Sequence, residues 1–419
     1  FLLLLIFVAG LAARALTFGG EAFFENDYFR YLWDGAVVAN FHSPFGYAPE
    51  SVIDPQIVNS TKISSLIVIA QDATGVIENI NYPFLSTVYP FVAQAFFAIS
   101  YVVEPFSLNA WRAVLVCADI VNFLLILTLL RMVNRSLLWA AIYWLNPLVI
   151  GEFFNSAHVD LLIFPFLLMA FIAAVKRWPH CSVFLLALAT AVKVWPILLL
   201  PLFLRPYVFR NLRKTIGLVL TFSITCLVLF LPLILELLSE NVGTGLAAYS
   251  QFWTMNQSFY KLVFAFSDIV VSAFNPINFA AAEDNTHRLA RLIIALAVGS
   301  VAVLVALKPW ETTDQLITRT LIIVAFMFAL SPTQFPWYYC WLVPLLAIRP
   351  VNWLLILTAT MPLYYTRFAF VEEGSPGIYD TYVVWFIWAP VILLFFRDFL
   401  SLSQKRLSQL RTYLSQLRA

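Results

Sequence analysis

Charge is what this sequence has least of. Only 11% of its 419 residues are Asp, Glu, Lys or Arg, against about a quarter in an ordinary soluble domain, so there are too few charges to coat a surface that faces water. A soluble enzyme is thereby excluded, and the 62% of hydrophobic residues point to an integral membrane protein. Basic excess is lacking too: 25 Lys and Arg stand against 23 Asp and Glu. Nothing is left over to neutralise a phosphate backbone, so a nucleic-acid partner is excluded. Disorder and coiled coil fall with the same composition. Cysteine is scarce. Cys117, Cys181, Cys226 and Cys340 are scattered singly in or beside apolar runs, with no CxxC pair and no His at ligand spacing, and read as small core residues. There is no Walker loop, Rossmann glycine pattern, GxSxG elbow or HExxH, which disfavours a nucleotide-sugar donor. The chain opens at Phe1, and a natural N-terminus is expected upstream of it.

What is present is a succession of apolar runs. A run of about 18 to 20 apolar residues crosses the hydrocarbon core as a helix. Twelve candidates begin near Phe1, Phe84, Arg112, Leu137, His158, Cys181, Thr215, Arg288, Ile317, Trp337, Val351 and Tyr382. The expected fold is all-α, a polytopic membrane bundle of about 10–12 transmembrane helices. Several segments are short or broken, notably those holding Pro147, Pro196, Pro332 and Pro344. Non-helical backbone is tolerated in a membrane only where protein or a watery cavity surrounds it, so a cavity within the bundle is expected.

Two polar intervals, Gly19 to Pro83 and Glu236 to His287, are too long to be simple turns, and function is expected there. Arg205, Arg210, Arg213 and Lys214 cluster in one loop, Lys308 and Arg349 mark two more, and the tail adds Arg397, Lys405, Arg406, Arg411 and Arg418. By the basic-residue rule these face the cytoplasm, and twelve crossings put both polar intervals on the opposite face. Arg131, Arg135, Lys176 and Arg177 then fall on the wrong side, so at least one short segment between Leu137 and Leu204 is expected not to span. After Arg397, Leu400, Leu407, Leu410, Leu414 and Leu417 recur at helical spacing among basic residues, as in an amphipathic helix on an anionic leaflet. No linker divides the chain: residues 1–396 read as a single transmembrane domain with outer loops 19–83 and 237–287, and 397–419 as a basic cytoplasmic tail helix.

The first outer loop packs three carboxylates and an arginine into Glu25-Asn26-Asp27-Tyr28-Phe29-Arg30-Tyr31-Leu32-Trp33-Asp34. Ionisable groups at a membrane boundary cost free energy unless they work or pair. A helix over residues 27–40 sets Asp27, Arg30, Tyr31 and Asp34 on one face, which could hold a base, a cation and a second acid together. The plainer alternative is an interfacial helix whose Asp and Arg pair with each other, with Trp33 and the tyrosines in an aromatic belt.

The pattern Glu25-x-Asp27-Tyr28, then Asp34, Ser43-Pro44-Phe45 and Tyr47-Ala48-Pro49 resembles the first luminal loop of the GT-C polytopic glycosyltransferases. It is most similar to the catalytic subunit of GPI mannosyltransferase I and to bacterial polyprenol-phosphate-mannose-dependent mannosyltransferases. Trp144-Leu145-Asn146-Pro147 with Asn155 to Asp160 behind it, Val192-Lys193-Val194-Trp195-Pro196, and Gln334-Phe335-Pro336-Trp337-Tyr338-Tyr339 leading to Leu342-Val343-Pro344 follow in the same order. The resemblance makes 19–83 the catalytic loop and places the family's acidic motif on Glu25 and Asp27, with Glu in place of the usual first Asp. It implies inverting transfer of a hexose, typically mannose, from a polyprenyl or dolichyl phosphate to a hydroxyl of a glycan or glycolipid. The site would lie on the periplasmic, extracellular or ER-lumenal face of an integral membrane protein.

That chemistry needs a carboxylate within about 2.6 to 3.2 Å of the acceptor hydroxyl to take its proton, and Asp27 is the candidate base. The leaving lipid phosphate is a competent anion, so one catalytic carboxylate suffices where a glycosidase needs two. Glu25 and Asp34 would support Asp27, and Arg30 or Lys193 could hold the phosphate. Lys193 interrupts an apolar stretch and either snorkels to an interface or meets an anion. Gln334, Trp337 and Tyr338 read as belt residues or as a sugar platform, and Trp253, Asn256, Gln257 and Tyr260 could contact the acceptor. His158 and Asp160 sit in what could be a cavity-lining turn, poorly spaced for one helix face. Asp119 and Asn122 read as a helix-to-helix hydrogen bond. Glu25 and Asp27 could hold a divalent cation or do without one, and a small membrane subunit as partner stays open. Asn59-Ser60-Thr61 and Asn256-Gln257-Ser258 fit the N-glycosylation pattern. The rival readings are a lipid-linked sugar flippase or transporter, which would place its charges at the midplane, and a non-catalytic scaffold of the same fold.

Overall fold

The computed structural model describes residues 1–52, 61–73, 75–238, 253–274 and 279–416. Among these the regular secondary structure is helical, apart from a single β-bridge between Met255 and Thr333. Six helices are long and apolar enough to cross a bilayer: Leu108–Met132, Leu212–Glu236, Glu283–Leu307, Thr313–Leu330, Asn352–Glu372 and Pro376–Ser401. A seventh element is the pair Leu137–Trp144 and Pro147–Asn155, bent by 51°. Its break is tolerated because Asn146 caps the second half, its Oδ1 accepting from the amides of Leu148 at 3.0 Å and Val149 at 3.2 Å, while Pro147 has no N–H to satisfy.

The helices first needed are α1 (Leu2–Ala15), α2 (Tyr28–Ala39), α3 (Thr61–Asp72), α4 (Phe91–Val103) and α5 (Leu108–Met132). Their ends and those of the later helices gather into two groups. At one end Asp314 faces both Arg135 at 3.5 Å and Arg349 at 3.7 Å, Arg177 lies 5.6 Å from the Trp310 ring centre, and Arg205 donates to the Leu307 carbonyl at 2.7 Å. At the other end Arg112 donates to the carbonyls of Gly20 at 2.6 Å and Asn155 at 2.8 Å, Val92 N donates to Ala191 O at 3.1 Å, and Gln334 N donates to Met255 O at 3.0 Å. Following the described chain between these ends gives the seven elements above and five shorter ones: Leu2–Ala15, Val159–Val175, Pro179–Thr190, Trp195–Val208 and Pro336–Ile348.

Two expectations about single segments change. The stretch expected to cross from Phe84 forms α4, and both of its ends lie at the same end of the bundle: Pro90 lines the cavity described below, and just past its C-terminus Asn109 accepts from Gly19 N at 3.2 Å. It packs on α2 instead, made possible by Gly35, where a Cβ would sit 2.4 Å from the Phe97 carbonyl oxygen. The stretch expected to cross once from Cys181 is two helices, Pro179–Thr190 and Trp195–Val208, folded back at Ala191–Val194. With these two exchanged, Arg131, Arg135, Lys176 and Arg177 join the other basic loops at one end, and the conflict with the charge rule disappears.

The described part of the second polar interval is built around a helix, Phe259–Phe274, which packs on the start of Phe279–Leu307 through Thr286 donating to Asp268 at 3.4 Å and Tyr260 facing His287 at 3.3 Å. Asn256 is buried there. Its amide donates to Gln334 O at 2.7 Å and its Oδ1 accepts from Tyr379 at 2.8 Å, so this sequon offers no free amide for glycosylation. Asn59 and Ser60, of the other sequon, lie outside the described residues. The last helix, Val384–Gln416, runs unbroken from the bundle into the tail. Deep in the bundle Asp119 forms an ion pair with Arg14 at 2.7 Å. Arg14 also donates to Gly10 O and Trp144 O and Tyr143 donates to Asp119, tying α1, α5 and the bent pair together.

Candidate active site

A cavity of about 750 Å³ opens at the end of the bundle away from the basic loops, within the range of small-molecule sites. Two of its acids, Glu25 and Asp27, come from the loop between α1 and α2. Asp27 precedes α2 in the cap position yet makes no capping hydrogen bond, which leaves its carboxylate for the cavity, where Asn81 Nδ2 approaches at 3.4 Å. Glu25, two residues earlier, meets the Tyr364 hydroxyl at 3.5 Å. Both side chains are half-buried. Burial raises Asp27 above the ordinary carboxylate range, opposed by the Asn81 hydrogen bond and the charge of Lys193. Burial, then the negative charges of Asp27 and Glu152, push Glu25 up to about 8, so near neutrality Glu25 holds a proton.

Arg30 and Asp34 form an i,i+4 pair on α2, Nε to Oδ1 at 3.0 Å, and Arg30 also donates to the Leu85 carbonyl at 2.9 Å. Arg30 lines the cavity. Asp34 stands behind it in the α2–α4 joint, 1% exposed, accepting from Thr87 and from Gln94 Nε2 at 3.0 Å. Of the face expected on α2, Asp27, Arg30 and Tyr31 reach the cavity and Asp34 serves Arg30.

Lys193 enters from the fold-back turn at Ala191–Val194. Its Nζ lies 3.0 Å from Asp160 Oδ1 and 4.7 Å from the Tyr338 ring centre. Asp160 accepts in turn from Trp341 Nε1 at 2.7 Å, and Tyr338 stacks on Trp341 at 4.3 Å. One buried carboxylate thus fixes both the cation and the aromatic wall beside it. Trp337 and Tyr338 line the cavity. Gln334 does not: fully buried, it accepts from Ser258 at 2.9 Å and Trp388 at 3.0 Å and donates to Ala329 O at 2.6 Å, pinning the segment that carries the wall. His158 lies behind the wall, stacked on Trp337 at 3.9 Å and 3.7 Å from Glu152. Among the described residues no group of three or more His, Cys, Asp or Glu is placed to hold a metal ion.

Residues 86–207 match the family model described as alpha-(1->6)-mannopyranosyltransferase, N-terminal domain. The match supports a mannosyltransferase family. It covers well under half of the chain, no curated protein matches, and no solved structure matches. Within the matched range lie Asp160 and Lys193; Glu25, Asp27, Trp337 and Tyr364 lie outside it.

Sequence reasoning missed Asp160 as the partner of Lys193, along with Trp341, Tyr364 and Arg367, all of which line the cavity. Asp160 and Lys193 are 33 positions apart, so no local spacing signals their pairing. Arg367 did carry a signal, a cation within the apolar helix Asn352–Glu372, by the same reasoning that singled out Lys193.

Proposed function

We propose that the chain is an inverting GT-C-type mannosyltransferase that moves mannose from a polyprenyl or dolichyl phosphate to a hydroxyl of a glycan or glycolipid on the extracytoplasmic face. The observation that carries the reading is the cavity itself: Asp27, unengaged by its helix, faces cations and a wall of aromatic rings at the bundle end opposite the basic loops. The family match supports the mannosyl group. The clustering of Arg135, Arg177, Arg205 and Arg349 at the far end supports a cytoplasmic location for that end and an outer location for the cavity.

In this reaction Asp27 takes the proton of the acceptor hydroxyl as its oxygen attacks the anomeric carbon from the face opposite the phosphate. The bond from that carbon to the phosphate oxygen breaks, and the lipid phosphate leaves with the electron pair. Attack from the opposite face inverts the anomeric centre. Arg30 and Lys193 supply positive potential for the leaving anion. Trp337 and Tyr338 offer flat faces to the C–H groups of the sugar, and Glu25, protonated, orients the sugar or acceptor by donating a hydrogen bond. Charges gathered at one mouth of the bundle favour this reading over a transporter, whose charges belong at the midplane.

The test is purified protein in lipid nanodiscs offered polyprenyl-phosphate mannose or GDP-mannose with a mannoside acceptor. Transfer is expected from the lipid donor alone, with the new linkage opposite in anomeric configuration to the donor by NMR. Transfer from GDP-mannose alone, or retention of configuration, would overturn the proposal.

A further inference from the structure

We propose that Arg367 is the direct ligand of the phosphate that leaves with the lipid, a role that rests on the transfer reading above. Among the described residues, three cations line the cavity: Arg30, Lys193 and Arg367. The first two are already spent on carboxylates, Arg30 on Asp34 and Lys193 on Asp160, each at 3.0 Å. Arg367 has no ion pair among the described residues, and its Nε is buried with no hydrogen-bond partner. Arg367 is half-buried and faces the cavity, so its guanidinium, with no carboxylate paired to it among the described residues, can meet an anion that enters there.

Arg367's position suits a lipid phosphate. It lies in the final turns of Asn352–Glu372, at the cavity end of the bundle, where a lipid headgroup sits. Tyr364, one turn earlier, touches Glu25, and because Glu25 stays protonated to about pH 8 it does not compete as a counter-ion. From Arg367 an aromatic wall leads to Lys193: Tyr364 stands 6.4 Å from Trp337, Trp337 5.8 Å from Tyr338, and Lys193 lies over Tyr338. A hexose laid along that wall keeps its phosphate on the Arg367 guanidinium, whose planar donors match two phosphate oxygens, while Arg30 and Lys193 add positive potential from farther along the cavity.

The experiment compares binding of farnesyl phosphate and farnesol to the full chain in lipid nanodiscs, a readout that needs no sugar transfer. Wild type is expected to prefer the phosphate by about tenfold or more. Arg367→Gln is expected to lose most of that preference and Arg367→Lys to keep part of it, at wild-type binding of farnesol. An Arg367→Gln protein that binds farnesyl phosphate as tightly as wild type would overturn the proposal. Should Arg367→Gln not fold, Arg367→Lys decides: binding equal to wild type overturns it, and weakened binding at unchanged melting temperature supports it. The two readings fail separately. Wild type that binds farnesyl phosphate through Arg367 but never transfers mannose would sink the transferase and keep the phosphate site; active wild type with unaltered binding in Arg367→Gln would do the reverse.

Discussion

Glu25 and Asp27 sit two residues apart, and under the proposed transfer their surroundings give them different work. Asp27 must be ionised to accept a proton. Because burial raises it, the acid limb of kcat/KM against pH is expected to have its midpoint above the ordinary carboxylate range. Glu25, held protonated to about pH 8, is mimicked by an amide: Glu25→Gln at pH 7 is expected to stay within about threefold of wild type in kcat, whereas removing a general base costs about 10² to 10⁴. The Glu25 shift also has a stability consequence. Between its unfolded value of 4.5 and about 8 the folded state holds a proton that the unfolded state has lost, so stability falls as pH rises through that window. Melting temperatures from pH 5 to 8.5 should show a shallower decline in Glu25→Gln than in wild type; parallel curves would count against a buried, protonated Glu25. At this scale the acids and Arg30 were legible because ionisable residues in an apolar chain announce themselves. The partners of Lys193 were not, since Asp160 and Trp341 reach it only through the fold.

Among the elements, α2 and α4 set the geometry of the acidic loop. The helix considered over residues 27–40 is present: α2 runs Tyr28–Ala39, with Arg30 and Asp34 paired along one face. The same hydropathy made α4 look like a crossing, because apolar length alone does not distinguish a helix buried in lipid from one buried under a loop. What decides is Gly35, whose missing Cβ lets α2 lie against the Phe97 carbonyl. Gly35→Ala is expected to cost about 1 to 3 kcal/mol through that overlap, read as a lower melting temperature, with weaker transfer because Asp27 and Arg30 ride on α2. Gly299→Ala, with nothing within 4 Å of the added carbon, is the control and should melt near wild type. Equal melting of the two variants would contradict the close approach.

For the whole molecule, the scarcity of charge made the membrane bundle legible and marked its two long polar intervals, but it left the middle of the chain in conflict with the charge rule. The conflict lay in two segments whose paths depend on long-range contacts, Val92 to Ala191 and Gly19 to Asn109, which no window of hydropathy reports. With them corrected, the exposed Glu78 and the exposed Arg210 belong to opposite ends. In a cysteine-free background and sealed vesicles of known orientation, an impermeant maleimide applied from the extracytoplasmic side should label Glu78→Cys at once and Arg210→Cys only after permeabilisation. Labelling of both from one side would contradict the two-ended bundle.

Asp27 as the base of a lipid-linked mannosyl transfer is tested most directly by a single-turnover measurement. Purified wild type and Asp27→Asn are each mixed in excess over polyprenyl-phosphate mannose, with a mannoside acceptor, and the new linkage is followed in time. Wild type should convert the donor, and Asp27→Asn should be slower by about 10² or more while binding the donor as before. Asp27→Asn transferring at the wild-type rate would contradict the assignment outright.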